Sequence, residues 1–224
     1  MEYDLQLGPQ GIFLSLEGVD GSGKSTQAAR LADSLREEGF TVELLREPGG
    51  TALGEKLREV LLSRSEIRIG TSAELLLFNA ARAQLLEERI VPALKAGHVV
   101  ILDRFCDSTF AYQGYGRRLP EGYLDALETW VVGEWQPART WLLDVPPEVS
   151  RARREVRGET ADRFEAEAES FRARVREGYL ERARRFPARV KVLDGSLGPN
   201  EVFSSIRDDL AVFLGAPPPG RGIV

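Results

Sequence analysis

The chain predicts an α/β fold, a five-stranded parallel sheet flanked by helices on both faces, and three observations carry that expectation. Five short apolar, β-branched runs recur along it: GIFLSLE (11–17), TVELLR (41–46), HVVILD (98–103), RTWLLDV (139–145) and RVKVLD (189–194). Strands that read as almost continuous apolar runs belong to parallel sheets covered on both faces. The segments between them are longer and carry helical period, giving the strand–helix alternation of a three-layer sandwich. Finally, the first run empties into a glycine-rich turn and then a helix, the local order that α/β nucleotide folds place at the top of the sheet.

Element by element, the first strand is bounded by Gly11 and Glu17, and helix is expected over 24–38. The second strand stops at Glu47-Pro48-Gly49-Gly50, with helix following over 52–63. A long helix is expected over 72–96, but Pro92 lies inside it and predicts a kink or an early end, because proline has no N–H and crowds the preceding turn. Strand 98–103 precedes a helix at 121–133, strand 139–145 precedes helices at 147–155 and 163–185, and strand 189–194 precedes one at 199–214. No period repeats and no Gly/Ser-rich linker divides the chain, so residues 1–214 read as one domain. The segment 215–224, APPPGRGIV and the glycine before it, has little to bury and is expected to be a flexible tail.

At 224 residues the chain is long enough for a sizeable core. Its net charge of -5 argues against a long polynucleotide as partner, since such binders carry a strongly basic balance. The single cysteine, Cys106, has no partner for an intramolecular disulfide, and no Cys/His cluster has metal-ligand spacing. The start, MEYDLQLGPQ, has neither a basic nor an apolar leader region, and no run of apolar residues is long enough for a membrane span. A cytoplasmic, membrane-free protein is expected.

The first chemical signal is EGVDGSGKST (17–26): Gly18, four residues, then Gly23-Lys24-Ser25, set between a strand and a helix. This is the spacing of a P-loop, in which backbone N–H groups and the helix N-terminus converge on phosphates. Gly18, Gly21, Ser22, Gly23, Lys24, Ser25 and Thr26 are thereby expected to bind ATP, with Lys24 bridging β and γ oxygens and Ser25 ligating Mg²⁺. Asp20 is out of place in such a loop, because a carboxylate beside a polyanion should be repelled. A regulatory GTPase would need Asn-Lys-x-Asp, and neither Asn79 nor Asn200 precedes a lysine. Two classes stay open: a kinase with a small phosphate acceptor, and a P-loop ATPase that switches partners and has no acceptor pocket.

Three segments favour an acceptor. The second strand delivers Arg46-Glu47-Pro48 and the third Asp103-Arg104-Phe105 to the carboxyl ends of the sheet, where open α/β folds bind ligands. Two arginines from neighbouring strand ends can clamp a monophosphate through planar paired bonds, and Asp103 stands where a carboxylate would hold the Mg²⁺ through water or orient nearby groups. Phe78 and Arg82, four apart on a helix, share a face and offer a ring for stacking beside a donor fork. The segment SRARREVRGETADRFE (150–165) is dense in arginine, with Gly158 as a hinge; it reads either as a mobile basic lid or as a solvated helix of Arg–Glu pairs.

EGVDGSGKST, REPGGT, ELLLFNAARAQ, ILDRFCDSTFAYQGYGR and the segment ending RGETADRFE occur in the order and spacing of bacterial thymidylate kinases, and the sequence resembles that family from about 11 to 214. The resemblance implies phosphorylation of dTMP to dTDP with Mg-ATP, and a homodimer. It implies that Phe78 stacks on thymine, Arg82 bonds its 4-oxo group and Thr109 meets the ring nitrogen. Ser108, Pro48 and Gln113 line the same pocket, Tyr112 excludes a 2′-hydroxyl, and Arg46 with Arg104 grips the dTMP phosphate. Asp20 then faces the acceptor 3′-hydroxyl and helps to place the phosphate-binding arginine. No residue between Gly18 and Gly23 is basic, so positive charge for the moving phosphoryl group must come from elsewhere, and the segment at about 150–163 resembles the basic lid of the bacterial type. Arg157, and after it Arg153, are the candidates for that catalytic role. Two departures from the family stand out: Asn79, where tyrosine is common, and Phe105, where histidine or tyrosine is common.

Overall fold

The computed structural model describes residues 11–63, 68–157, 163–164 and 167–215, with the side chain of Arg157 outside that description. Five parallel strands form one sheet in the order β2-β3-β1-β4-β5: β1 Ile12–Glu17, β2 Val42–Arg46, β3 Val99–Asp103, β4 Arg139–Asp144 and β5 Val190–Asp194. Each lies within a residue of its expected range at either end. β1 is central, with Leu16 beside Asp103 on β3 and beside Trp141 on β4. From β1 the chain turns towards β2, whereas from β3 it crosses to β4, so the carboxyl ends of β1 and β3 flank the crevice where connections diverge.

Alternation along the strands fills two cores. Leu14, Leu16, Ile101, Trp141 and Leu143 face one layer, made by α1 (Lys24–Glu37) and α9 (Pro199–Phe213). Phe13, Val100 and Leu102 face the other, against Leu85 at the end of α3 (Thr71–Leu85) and Leu86, Ile90, Ala93 and Leu94 beyond it, while Leu142 meets α8 (Glu169–Arg185) through Val175 and Tyr179. Burying each such side chain contributes roughly 1.5–3 kcal/mol, which is what fixes the sheet between its helices. Cys106 belongs to the second core and is 3% exposed, with its Sγ 3.5 Å from Gln136 Oε1. Burial pushes its thiol well above the usual range.

Three helical expectations are corrected. The helix expected over 72–96 is interrupted: α3 ends at Leu85, a wide π turn covers Leu86–Ile90, and α4 (Val91–Lys95) restarts with Pro92 in its first turn, where a missing N–H is tolerated. The helix expected from 163 begins only at Glu169, because Arg163 and Phe164 form a turn folded back over the site. Conversely, α5 (Cys106–Thr109) and a π segment, Phe110–Gly116, were not expected as helix at all. Their two glycines and crowded aromatics hide the period, and packing against α8 forms them: a Cβ on Gly116 would lie 2.7 Å from the Phe171 ring, and one on Gly178 2.8 Å from the Tyr115 side chain. The remaining helices are α2 (Ala52–Leu62), α6 (Glu121–Val131) and α7 (Pro147–Arg157). Most of the tail expectation, from residue 216 onward, lies outside the described residues.

Candidate active site

The glycine turn after β1 is held by its own stereochemistry. Gly18, Gly21 and Gly23 have φ of 141°, 80° and 96°, a region open to glycine and strained for other residues. A Cβ on Gly18 would lie 2.6 Å from the Leu143 carbonyl oxygen, and one on Gly21 2.7 Å from that of Ser150. The loop leads into α1, where Lys24 is 5% exposed and donates to the Val19 carbonyl at 3.0 Å. Burial, with Arg104 nearby, lowers the Lys24 pKa to about 8, against the pull of Asp103, Asp20 and Glu17.

Beside the loop opens a cavity of about 810 Å³. The end expected to take the donor is lined by Gly21, Gly23, Lys24, Ser25 and Thr26, and the end expected to take the acceptor by Arg46, Pro48, Phe78, Arg82, Arg104, Ser108, Thr109, Tyr112 and Gln113. The partner-switching reading has no use for such an acceptor pocket. Of the residues expected to bind ATP, Gly18 and Ser22 stand behind the wall; the Ser22 hydroxyl is buried with no hydrogen-bond partner.

Asp20 meets Arg104 rather than bare phosphate. Arg104 Nη2 lies 2.5 Å from Asp20 Oδ1, and the Tyr112 hydroxyl donates to Oδ2 at 3.0 Å. Burial alone would raise the Asp20 pKa, but Arg104, Lys24 and the Tyr112 bond hold it down at about 2, so the carboxylate is ionised throughout the neutral range. The other side of the guanidinium, Nη1, reaches the Gly18 carbonyl at 3.1 Å, Ser108 Oγ at 3.2 Å and the Tyr179 hydroxyl at 2.8 Å. Arg104 itself has φ 72°, left-handed and uncommon for a residue with a Cβ.

Below this cluster, Ser25 Oγ donates to Asp103 Oδ2, while Asp103 Oδ1 is buried without a partner. A serine hydroxyl and a carboxylate with an unused oxygen, facing the phosphate end of a cavity, suit a hard divalent cation that keeps several waters. No group of three or more His, Cys, Asp or Glu that could hold a metal by themselves occurs among the described residues.

At the end of the cavity away from the glycine turn, Arg82 is 2% exposed and held by Glu47, with Nε and Nη2 at 2.9 and 2.7 Å from Oε2, and by the Phe105 carbonyl at 3.2 Å. Asn79 donates to the Leu75 carbonyl at 2.8 Å and accepts weakly from Arg82 Nη1 at 3.4 Å, so the first departure from the family pattern supports the arginine. Phe105, the second, is fully buried, edge-on to Phe13 and 5.3 Å below the Arg82 guanidinium. Thr109 Oγ1 is buried without a partner. Gln113 donates to the buried Glu74 at 2.9 Å. Arg46 stands at the rim, its guanidinium half exposed and 2.8 Å from Glu55.

The lid arginines separate into different environments. Arg153 ties the Gly195 carbonyl (2.7 Å) and that of Ser196 (3.2 Å), the turn after β5, and lines the donor end of the cavity. Arg151 is solvated beside Glu155. Arg163 is bound to Glu74 at 2.7 Å and to the Leu61 carbonyl at 2.9 Å, which carries Phe164 onto the acceptor end, 5.8 Å from the Phe78 ring and 5.6 Å from Tyr112. The choice of Arg157 falls on a side chain outside the described residues, as does the Gly158 hinge.

Sequence reasoning missed Glu17, Glu47, Glu74, Phe164 and Tyr179. Glu17 and Glu47 each stand at a strand end beside residues already singled out, which is a usable signal; Tyr179, in the middle of α8, carries none.

Comparison with known proteins agrees with this geometry. The thymidylate kinase family model matches residues 16–206. The thymidylate kinase of Thiobacillus denitrificans is 54% identical over 205 residues, 91% of this chain and 96% of that one. That of Bordetella pertussis is 50% identical over 188 residues, 84% and 88% of the two chains. The crystal structure of thymidylate kinase from Ehrlichia chaffeensis superposes with a TM-score of 0.74 at 34% identity, covering 90% of this chain and 99% of that one. With the P-loop, the acceptor cavity and the match over most of its length, the chain belongs to the thymidylate kinase family.

Proposed function

We propose that the chain transfers the γ-phosphoryl group of ATP to dTMP, giving ADP and dTDP. The observation that carries the reading is one cavity that has a glycine-built phosphate cradle at one end and, at the other, an aromatic ring (Phe78), a buried guanidinium (Arg82) and Arg104. Phosphoryl transfer involves little covalent chemistry for the protein, so its work is positioning and placing positive charge. The loop N–H groups and Lys24 bind the donor phosphates. Arg104, oriented by Asp20, and Arg46 at the rim hold the acceptor phosphate, while Phe78 and Arg82 hold the base, Thr109 supplies an unused hydroxyl, and Tyr112 stands under the sugar. Ser25 and Asp103 would hold a hydrated Mg²⁺, which would neutralise charge developing on the donor phosphates. The catalytic contributions of Arg153 and Arg157 are part of this proposal.

Two copies pair in this reading. Leu53 and Val60 on α2, Leu76 on α3 and Trp130 on α6 are exposed on helices that pack α2 on α3 and α3 on α6, Trp130 by 82%, and pairing through these helices would cover them. Sedimentation at micromolar concentration should give twice the mass of one chain.

The deciding assay is ADP release with Mg-ATP against dTMP, dUMP, dCMP, dGMP, AMP and UMP, with a control lacking acceptor. Strong preference for dTMP is expected; turnover indifferent to the acceptor would overturn the reading. Among the described residues no helix is long and apolar enough to cross a membrane.

A further inference from the structure

We infer that Glu17, at the end of β1, is a positioning residue for Arg104, fixing the left-handed turn that presents the guanidinium to the acceptor. The inference rests on the reading that Arg104 grips the acceptor phosphate. Glu17 is fully buried and touches none of the cavity. Its Oε1 accepts from the Phe105 N–H at 2.7 Å and from the Ser108 N–H at 3.3 Å, and its Oε2 accepts from the Ser108 hydroxyl at 2.7 Å. Those groups belong to the turn that begins at Arg104, whose positive φ persists only where its surroundings over-determine it. The Arg104 N–H is fixed in turn by the Leu16 carbonyl, one residue before Glu17. A single strand end therefore sets both sides of the strained residue.

Counting donors shows which form of Glu17 completes the arrangement. With the carboxylate ionised, Ser108 donates to it, the Tyr179 hydroxyl donates to Ser108 Oγ at 2.7 Å, and Arg104 donates to both hydroxyls. Both hydroxyl protons then have an acceptor. With Glu17 protonated, its O–H takes the Ser108 oxygen, Ser108 must turn its own proton to Tyr179, and the tyrosine proton is left facing a guanidinium that only donates. The charged and titratable groups around Glu17 are Asp107 from α5, Arg104 after β3, Lys24 from α1 and Tyr179 from α8. Burial first and Asp107 second push its carboxyl up to about 7, against Ser108, Arg104 and the Phe105 N–H. The form that completes the network is thus reached only as pH rises through about 7.

Stability moves the other way. A carboxyl raised from 4.5 to about 7 on folding favours the folded state fully below 4.5, and that contribution is lost as pH climbs through about 7. Glu17→Gln, which keeps the volume and the Oε1 acceptor, should therefore unfold at the same or a higher temperature than the natural chain at about pH 8 while losing function. The expected result is kcat/KM for dTMP down about tenfold or more at that pH, KM for ATP within about twofold, and no rise in kcat/KM through about pH 7. Unchanged dTMP kinetics would overturn the inference, as would equal losses towards both substrates with a lowered melting temperature, the mark of a purely structural role. Should the variant not fold, the natural enzyme still decides: its acid limb near pH 7 should stay in place when dTMP is exchanged for the phosphorothioate analogue, whose phosphate titrates lower, and a limb that follows the acceptor overturns the inference. Arg104→Gln, assayed beside it, tests the underlying reading alone, since retained dTMP kinetics there would remove the grip whatever Glu17 does.

Discussion

Two arginine–carboxylate clusters lie three residues apart in the chain and have opposite uses. Arg104 pairs with Asp20 at 2.5 Å; Arg182 and Arg189 pair with Asp107 at 2.6 and 2.7 Å. In both, neighbouring guanidinium groups outweigh burial and hold the carboxyl at about 2. The Asp107 cluster is closed: Arg182 is 1% exposed, stacked over Phe110 and Phe186, and its Nη2 donates to Glu128. The Asp20 cluster is open on one side, and that side is the cavity. The same chemistry is scaffold where protein surrounds it on all sides and machinery where one side is left for a ligand.

Breaking each cluster should separate the two uses. Arg104→Gln should lower kcat/KM for dTMP by about 10³, equivalent to ~4 kcal/mol, with unfolding affected far less, as measured by steady-state kinetics beside urea unfolding. Asp107→Ala leaves two buried cations without their carboxylate and should destabilise by about 3 kcal/mol in urea, while the folded fraction keeps its dTMP kinetics at about pH 8. Reversal of those two outcomes would mean that the clusters have been assigned the wrong way round. Asp20→Ala should lower kcat/KM for dTMP by about 10², much more than it weakens ATP binding; comparable losses on both sides would remove its role towards the acceptor. The smallest effect is common to both clusters. A carboxyl lowered from 3.8 to about 2 contributes stability that is complete above 3.8 and lost as pH falls through about 2, so the urea midpoint should drop over that window and Asp20→Asn should flatten part of the drop.

The closed and open clusters also differ in how visible they are in the sequence. The donor end was legible because phosphate binding by backbone needs glycine at particular turns, and that need is written in consecutive residues. Strand ends were legible for a similar reason, since apolar runs stop where the sheet stops. The partners were not. Glu17 to Ser108 and Arg104 to Tyr179 span 91 and 75 residues, and nothing local in α8 marks Tyr179 as different from any core tyrosine. Arg163 lies in a segment whose sequence fits either a basic lid or a solvated helix of Arg–Glu pairs, whereas Glu74, far away on α3, makes it an anchor. The segment 106–116 hid its helix because its π geometry follows tertiary packing more than period.

The burial of Cys106 has a practical consequence. The chain has one cysteine, packed in the core with its thiol held well above the usual range, so thiolate-directed reagents will pass it by. The molecule is in effect free of reactive thiols. A cysteine introduced at Glu155 on the arginine-rich segment and a second at exposed Val212 on α9 could each be labelled with a fluorophore without first stripping the native residue. Distances between such labels, followed as nucleotides are added, would report movement above the cavity in the otherwise unaltered protein.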